Sequence, residues 1–196
     1  MKIVVATNNQ HKISEYRSLL PKACFEVLSL KDIGVEIEIE ETGKTYEENA
    51  KIKAMCIAKL TNLLVIADDS GLEIETLNDF PGLNSSRFAA GYANQKEANQ
   101  ALLEKLDKQI NRNAKFVCVI ALANHEKQLS LFHGECHGKI LHKAQGERGF
   151  GYDPIFYSYE AKNCFATLTN EQKNRYSHRA KAVAKLIEFF EAKQLI

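Results

Sequence analysis

The residues with the greatest chemical potential lie in Ala67-Asp68-Asp69-Ser70-Gly71. Leu63-Leu64-Val65-Ile66 comes just before them, a short apolar run rich in branched side chains that reads as a buried strand. Two successive acids then stand where the chain is expected to leave the sheet, with Ser70-Gly71 as a turn. Ligands of α/β proteins collect at the open ends of such strands. Neighbouring strand residues point to opposite faces, so Asp68 and Asp69 are expected to do different jobs, one holding Mg²⁺ and the other fixing the loop. A solvated turn uses the same residue types, and this stretch alone does not choose between the two.

Three more polar clusters stand elsewhere in the chain. Thr7-Asn8-Asn9-Gln10-His11-Lys12 follows an apolar strand, Ile3-Val4-Val5-Ala6, and opens a helix with Ile13, Tyr16 and Leu20 on one stripe. Asn8 or Asn9 suits the N-cap. Backbone N–H groups at such a helix start can meet a phosphate, and Lys12 adds charge there. The second cluster is Gly146-Glu147-Arg148-Gly149-Phe150-Gly151-Tyr152-Asp153-Pro154, with three glycines in six positions. Glycines let backbone and ligand approach closely, and an aromatic set among them suits stacking on a base. A tight loop with a tucked aromatic is the competing reading. In the third cluster Lys173, His178 and Arg179 gather donors near helix starts, where the dipole disfavours cations; this placement points to an anionic or acceptor-rich ligand.

The elements that must carry these clusters alternate along the chain. Val35 to Glu40 alternates apolar and acidic residues, as a strand with one wet face would. Thr45-x-x-Glu48 is a capping box opening a helix to about Leu60, with Ala50, Ala54, Ile57 and Ala58 toward the core and Lys53 on another side. Gly43-Lys44-Thr45 ends like a phosphate-binding P-loop, but Glu38 stands where the first glycine of that motif belongs. Leu72 to Glu75 reads as an exposed strand and Phe80-Pro81-Gly82-Leu83 as a turn. Asn94-x-x-Glu97 caps a helix with Ala98, Leu102 and Leu106 inward. Phe116–Ala123 and Gln128–Cys136 form a hairpin around Asn124-His125-Glu126-Lys127. There His133 and His137 share a strand face and Cys136 points away, which disfavours zinc. Thr169-x-x-Gln172 starts a short helix containing Lys173, and a longer one from Ser177 carries Val183, Leu186, Ile187 and Phe190 as its stripe.

Composition bounds the answer. A chain of 196 residues with 45% hydrophobic and 26% charged residues is globular and suits a single domain over 1–196, in one or two lobes. Its net charge of +1 argues against a broad nucleic-acid-binding face, so an anion must meet a local cluster. Five scattered cysteines without a C-x-x-C pair fit a reduced, cytoplasmic chain. No signal peptide or membrane-spanning run is expected.

Read in order, these motifs resemble a known family. Thr7-x-Asn9-x-x-Lys12, Glu41-Thr42-Gly43, Glu48-Asn49-Ala50-x-x-Lys53-Ala54, Ala67-Asp68-Asp69-Ser70-Gly71-Leu72, Pro81-Gly82, Ser86-Arg87, Gly149-Phe150-Gly151-Tyr152-Asp153-Pro154 and Ser177-His178-Arg179 together are similar to the inosine/xanthosine triphosphate pyrophosphatases. The match runs nearly end to end. It implies an α/β fold with an elongated mixed β-sheet flanked by helices, two lobes and a central substrate cleft, in a cytoplasmic homodimer. It also implies Mg²⁺-dependent cleavage of noncanonical purine nucleoside triphosphates such as ITP, dITP and XTP to the monophosphate and pyrophosphate.

By resemblance, Glu41 and Asp69 bind the metal and Asp69 is the catalytic base. Thr7, Asn8, Asn9, Gln10, His11 and Lys12 hold the phosphates, and Lys53 faces them. Ser70, Phe150, Gly151, Tyr152, Asp153, Lys173, His178 and Arg179 contact the substrate. Lys173 and Arg179, donors without acceptors, suit a 6-oxo purine. Two other functions stay open at this point: a pyrophosphatase for modified pyrimidine nucleotides, and a nucleotide-binding regulator without catalysis.

Overall fold

The computed structural model describes residues 1–126 and 128–196. Branched and aromatic side chains seeking burial make the strands, and polar caps start the helices between them. The chain runs β1 (Lys2–Val5), α1 (Gln10–Leu19), β2 (Glu26–Ser29), α2 (Tyr46–Ala58) and β3 (Leu64–Ile74). β1 pairs in parallel with both β2 and β3. A parallel pair needs a crossover, which α1 supplies between β1 and β2. Then come β4 (Phe80–Pro81), α3 (Ser85–Ala90), α4 (Gln95–Lys105), β5 (Asn113–Ala123), β6 (Leu129–Ile140), β7 (Phe156–Ser158), β8 (Asn163–Cys164), α5 (Asn170–Lys173) and α6 (His178–Ala192). The described residues form one open eight-stranded mixed sheet in the order β2-β1-β3-β5-β6-β7-β8, with β4 beside β3. β6–β7, β7–β8 and β3–β4 are antiparallel. This is the helix-flanked mixed sheet that the motifs implied.

Two compact units divide the chain. The first comprises Met1–Asp69, Cys118–Gly134 and Arg179–Ile196. Its core gathers Ile3, Val5, Tyr16, Leu20, Ile66, Ile120, Leu186 and Phe190. The second comprises Ser70–Val117 and Glu135–His178, around Leu72, Ile74, Leu102, Phe116, Tyr152, Phe156 and Phe165. No helix of the described residues is long and apolar enough to cross a membrane.

The caps appear where the sequence placed them. Thr45 accepts from Glu48 N–H, Asn94 from Glu97 N–H, and Thr169 with Gln172 makes both halves of a capping box. The Glu48 carboxylate reaches one residue further back than expected, to Lys44 N–H at 2.6 Å. Ala98, Leu102 and Leu106 are buried, as are Val183, Leu186 and Phe190. Asn124 and Gln128 exchange hydrogen bonds at the expected hairpin, whose Lys127 lies outside the described residues.

Three expectations fail. β3 does not stop at Ala67: it continues through Asp68, Asp69, Ser70 and Gly71 to Ile74, absorbing the segment read as a separate strand. A Ser-Gly pair loses its turn meaning when both flanks are strand formers and Leu72 and Ile74 are fully buried. Val35 to Glu40 is no strand. Its burial alternates, with Val35, Ile37 and Ile39 half-buried and Glu36, Glu38 and Glu40 exposed, yet no ladder forms. Alternation records which side faces the protein; a strand needs an edge to pair with. Phe80-Pro81, read as turn, is the short β4.

In the second unit the buried Arg112 donates to Leu106 O, Ile140 O and Leu141 O at 2.6–2.9 Å, so one guanidinium satisfies three carbonyls. Each abandoned buried acceptor costs about 1–3 kcal/mol. Arg112→Ala is expected to lower unfolding free energy by about 3 kcal/mol at unchanged urea m-value, as read from the denaturation midpoint.

Candidate active site

The pleat of β3 separates its two acids. In the first unit Asp68 is buried, and its Oδ2 takes the Arg179 Nη2 at 2.8 Å and the Lys12 Nζ at 3.0 Å. Burial works to raise its pKa, but Arg179, Lys12 and Lys53 overcome this and hold the carboxyl well below its ordinary value. Asp69, also buried, has other partners: its Oδ2 accepts from Asn49 Nδ2 at 2.9 Å, and Lys53 Nζ stands 3.9 Å from Oδ1. That ammonium also pairs with Glu41. Two carboxylates thus converge on one cation. Burial raises the Asp69 pKa; Lys53 and the Asn49 hydrogen bond oppose the rise without cancelling it, and Glu41 adds to it.

Asn49 explains two motif positions. Its Oδ1 accepts from Gly43 N–H at 2.8 Å while its Nδ2 holds Asp69. A Cβ at Gly43 would stand 2.6 Å from that Oδ1, so the turn before α2 needs glycine for close approach. The Gly43-Lys44-Thr45 sequence therefore starts a helix and aligns a carboxylate. It forms no P-loop.

At the start of α1, Asn9 is the N-cap, its Oδ1 accepting from His11 N–H and Lys12 N–H. Thr7 Oγ1 accepts from Asn9 N–H at 3.2 Å, and Asn8 Nδ2 donates to Ile37 O at 3.0 Å. Asn8, Asn9, Gln10 and His11 are exposed, Thr7 and Lys12 half-buried. Thr7 to Lys12, Glu41, Lys53, Asp68 and Asp69 belong to the first unit.

The second unit holds the aromatic cluster. Gly149 and Gly151 have φ of +75° and +62°, a region L side chains rarely adopt. A Cβ at Gly149 would lie 2.1 Å from Asp153 Oδ2. That oxygen accepts from Phe150 N–H at 2.9 Å and from Lys173 Nζ at 2.7 Å. Lys173 Nζ stands 4.8 Å from the Phe150 ring centroid, so the loop, its carboxylate and the lysine of α5 form one assembly. Tyr152 is buried and donates to Ser85 O at 2.6 Å; Asn99 Nδ2 donates to Gly151 O at 3.1 Å. His178 stacks on Phe116, 4.8 Å between centroids. Ser70 is half-buried in β3.

Some expected contacts look different in this geometry. Tyr152 directs its hydroxyl to a backbone carbonyl, anchoring the loop. The terminal nitrogens of Arg179 lie on Glu15 and Asp68. Sequence reading missed Asn49, Asn99 and Glu15 as site residues. The signal for the first two was an Asn inside a helix, a poor helix former kept for its side chain.

The balance at Asp69 can be shifted without touching a charge. Asn49→Ala removes an interaction that stabilises the carboxylate, so Asp69 should keep its proton to higher pH than in wild type. Carboxyl carbon NMR titration of the metal-free protein reads this, and an unchanged or lower midpoint would count against the Asn49 contact.

The chain matches the model of the Ham1 family over residues 3–189. It is 40% identical over 193 residues to a dITP/XTP pyrophosphatase of Clostridium perfringens, covering 94% of this chain and 95% of that one. A dITP/XTP pyrophosphatase of Desulforamulus reducens is 43% identical over 190 residues, with 96% and 94% coverage. Among solved structures, the Staphylococcus aureus Ham1 protein aligns with a TM-score of 0.87 at 40% identity, covering 98% of this chain and all of that one. Fold and sequence agree along nearly the whole length, and the chain belongs to the Ham1 family.

Proposed function

We propose that this chain is a nucleoside triphosphate pyrophosphatase that hydrolyses noncanonical purine nucleotides, dITP, ITP and XTP, to the monophosphate and pyrophosphate. One observation carries the reading: Glu41 and Asp69, the latter with its own pKa raised, converge on the buried ammonium of Lys53. Related dITP/XTP pyrophosphatases at 40–43% identity support the substrate class. Glu41 and Asp69 fit a divalent ion, since Mg²⁺ takes hard oxygen ligands and the Lys53 ammonium already marks a point of positive charge between them. When bound, Mg²⁺ supplies charge compensation on the phosphates and polarises water.

The remaining work falls to side chains. Asp69 accepts a proton from the water whose oxygen bonds to the α-phosphorus, and a raised pKa makes it a better proton acceptor. The bond from the α-phosphorus to the bridging oxygen breaks, and pyrophosphate leaves with the electron pair. Lys53 and Lys12 offset the charge that builds on it. Thr7, Asn8, Asn9, Gln10 and His11 place backbone and side-chain donors at the start of α1 for the phosphates. Ser70 contacts the substrate next to Asp69. Phe150 stacks on the base, with Gly151, Tyr152 and Asp153 shaping its loop. Lys173 and His178 meet the base edge. The reading brings with it one domain of two lobes, a homodimer and a cytoplasmic setting, the last supported by free cysteines throughout the described residues.

Asp69→Asn is expected to fold and to lose about two to four orders of magnitude in turnover. Activity should vanish after exhaustive EDTA treatment and return with Mg²⁺; full turnover without a divalent ion contradicts the role of Glu41 and Asp69. A pyrophosphate-release panel decides the substrate class. If modified pyrimidine nucleotides are turned over in preference to dITP and XTP, the purine reading falls. Nucleotide binding without pyrophosphate release would make the chain a sensor.

Base selection follows from donors. Lys173 presents N–H groups only, so adenine, with an amino group at position 6, leaves donor facing donor. A site built to bond one polar group rejects its mimic strongly. ATP should show kcat/KM at least about a hundred-fold below dITP. Phe150→Ala should weaken all purine substrates alike, by about ten- to a hundred-fold in KM, the worth of one stacked base.

A further inference from the structure

We propose that Asp68 is a positioning residue for Lys12, and that Arg179 fixes Asp68 for that task. The inference rests on the assignment of Lys12 to the phosphates, and it explains how a flexible lysine is aimed.

Four charges of the first unit close a circuit. Lys12 Nζ lies 3.0 Å from Asp68 Oδ2, and the same oxygen takes Arg179 Nη2 at 2.8 Å. Arg179 Nη1 pairs with Glu15. Glu15 and Lys12 stand three residues apart on α1 and therefore share a face of the helix. Arg179 thus ties β3 to α1 through two carboxylates, and Lys12 runs from α1 back to the same point on β3. The frame is dry: the side chains of Asp68 and Arg179 are 0% and 1% exposed, those of Lys12 and Glu15 15%. The Arg179 guanidinium also lies 5.9 Å from the Tyr16 ring centroid.

Asp68 is held from one side only. Cys118 Sγ is 3.8 Å from Oδ2, so arginine, lysine and thiol all meet that oxygen. The buried Oδ1 has no partner among the described residues. The direction of the carboxylate therefore comes from Arg179, a rigid fork that can hold two carboxylates at fixed angles. Lys12, a point charge on four rotatable carbons, cannot set it. A buried ionic cluster is seldom more stable than apolar packing of equal volume. Its benefit here is orientation: the lysine meets an incoming anion already extended and stripped of much of its rotamer freedom.

The test uses the full-length protein. Nitrogen-15 relaxation of the Lys12 ammonium in the substrate-free wild type should show restricted motion, and Asp68→Asn should release it. A freely rotating ammonium in wild type would overturn the proposal, and so would an ammonium equally restricted in Asp68→Asn. Asp68→Asn and Arg179→Lys should each lower kcat/KM for dITP by about ten- to a hundred-fold. In a Lys12→Ala background neither should add more than about twofold, because both act through Lys12. Losses that multiply in that background would make Asp68 a direct or merely structural participant. If Asp68→Asn does not fold, the wild-type relaxation and the Arg179→Lys pair of measurements still decide. Absence of pyrophosphate release from wild type would sink the functional reading instead, and leave the relaxation comparison to judge the positioning role.

Discussion

Consecutive side chains of a strand must face opposite ways, and in β3 this constraint falls on two buried carboxylates. Neither can be ionised in a dry interior without compensation. Asp68 receives an arginine and a lysine; Asp69 receives an asparagine and, at longer range, a shared lysine. The two environments push their pKa values apart, one strongly down and one up. Pairs of titratable groups driven apart in this way are how one fold separates a permanent charge from a proton acceptor. The helices are placed to deliver those partners: α1 brings Lys12 and Glu15, α2 brings Asn49 and Lys53, and the first turn of α6 brings Arg179.

The second unit solves a different problem, that of holding an aromatic ring at the surface on a chain rich in glycine. Glycine lowers the cost of a left-handed backbone but leaves the loop free to wander. Asp153 removes that freedom by accepting from the Phe150 backbone and from Lys173 at one oxygen. Tyr152 and Asn99 pin the loop to α3 and α4 at two further points. Phe150 is thereby held at its own N–H and at the two residues after it, while the ring itself is only half-buried.

Much of this was legible in the residues. Caps and stripes come from local chemistry, so Thr45, Asn94, Thr169 and the apolar face of α6 could be read directly. That Asp68 and Asp69 would meet different partners followed from the pleat. What could not be read was decided by partners distant in sequence. Ser70-Gly71 stayed in a strand because β3 continues on to the buried Leu72 and Ile74. Val35 to Glu40 alternated faithfully and still found no ladder. Arg179 was assigned by its position in a motif, whereas its partners Glu15 and Asp68 lie 164 and 111 residues away. Asn49 and Asn99 stand out as poor helix formers, but their partners Asp69 and Gly151 lie 20 and 52 residues away and could not be named.

The place of Lys53 bears on how the acidic pair handles cations. Its ammonium offsets one of the two negative charges of the Glu41–Asp69 pair, so the resting protein does not present a bare dianion to the solvent. Any metal drawn to these oxygens must share them with a charge of the same sign held on the protein by covalent bonds. The repulsion is relieved when an anion arrives to take up the ammonium. Cation and anion affinities are then thermodynamically linked: each ligand raises the affinity for the other by an equal factor. With Glu41 and Asp69 as the proposed metal ligands, such an arrangement would discriminate against free divalent ions, which bring only positive charge, and favour the ion already carried on a polyphosphate.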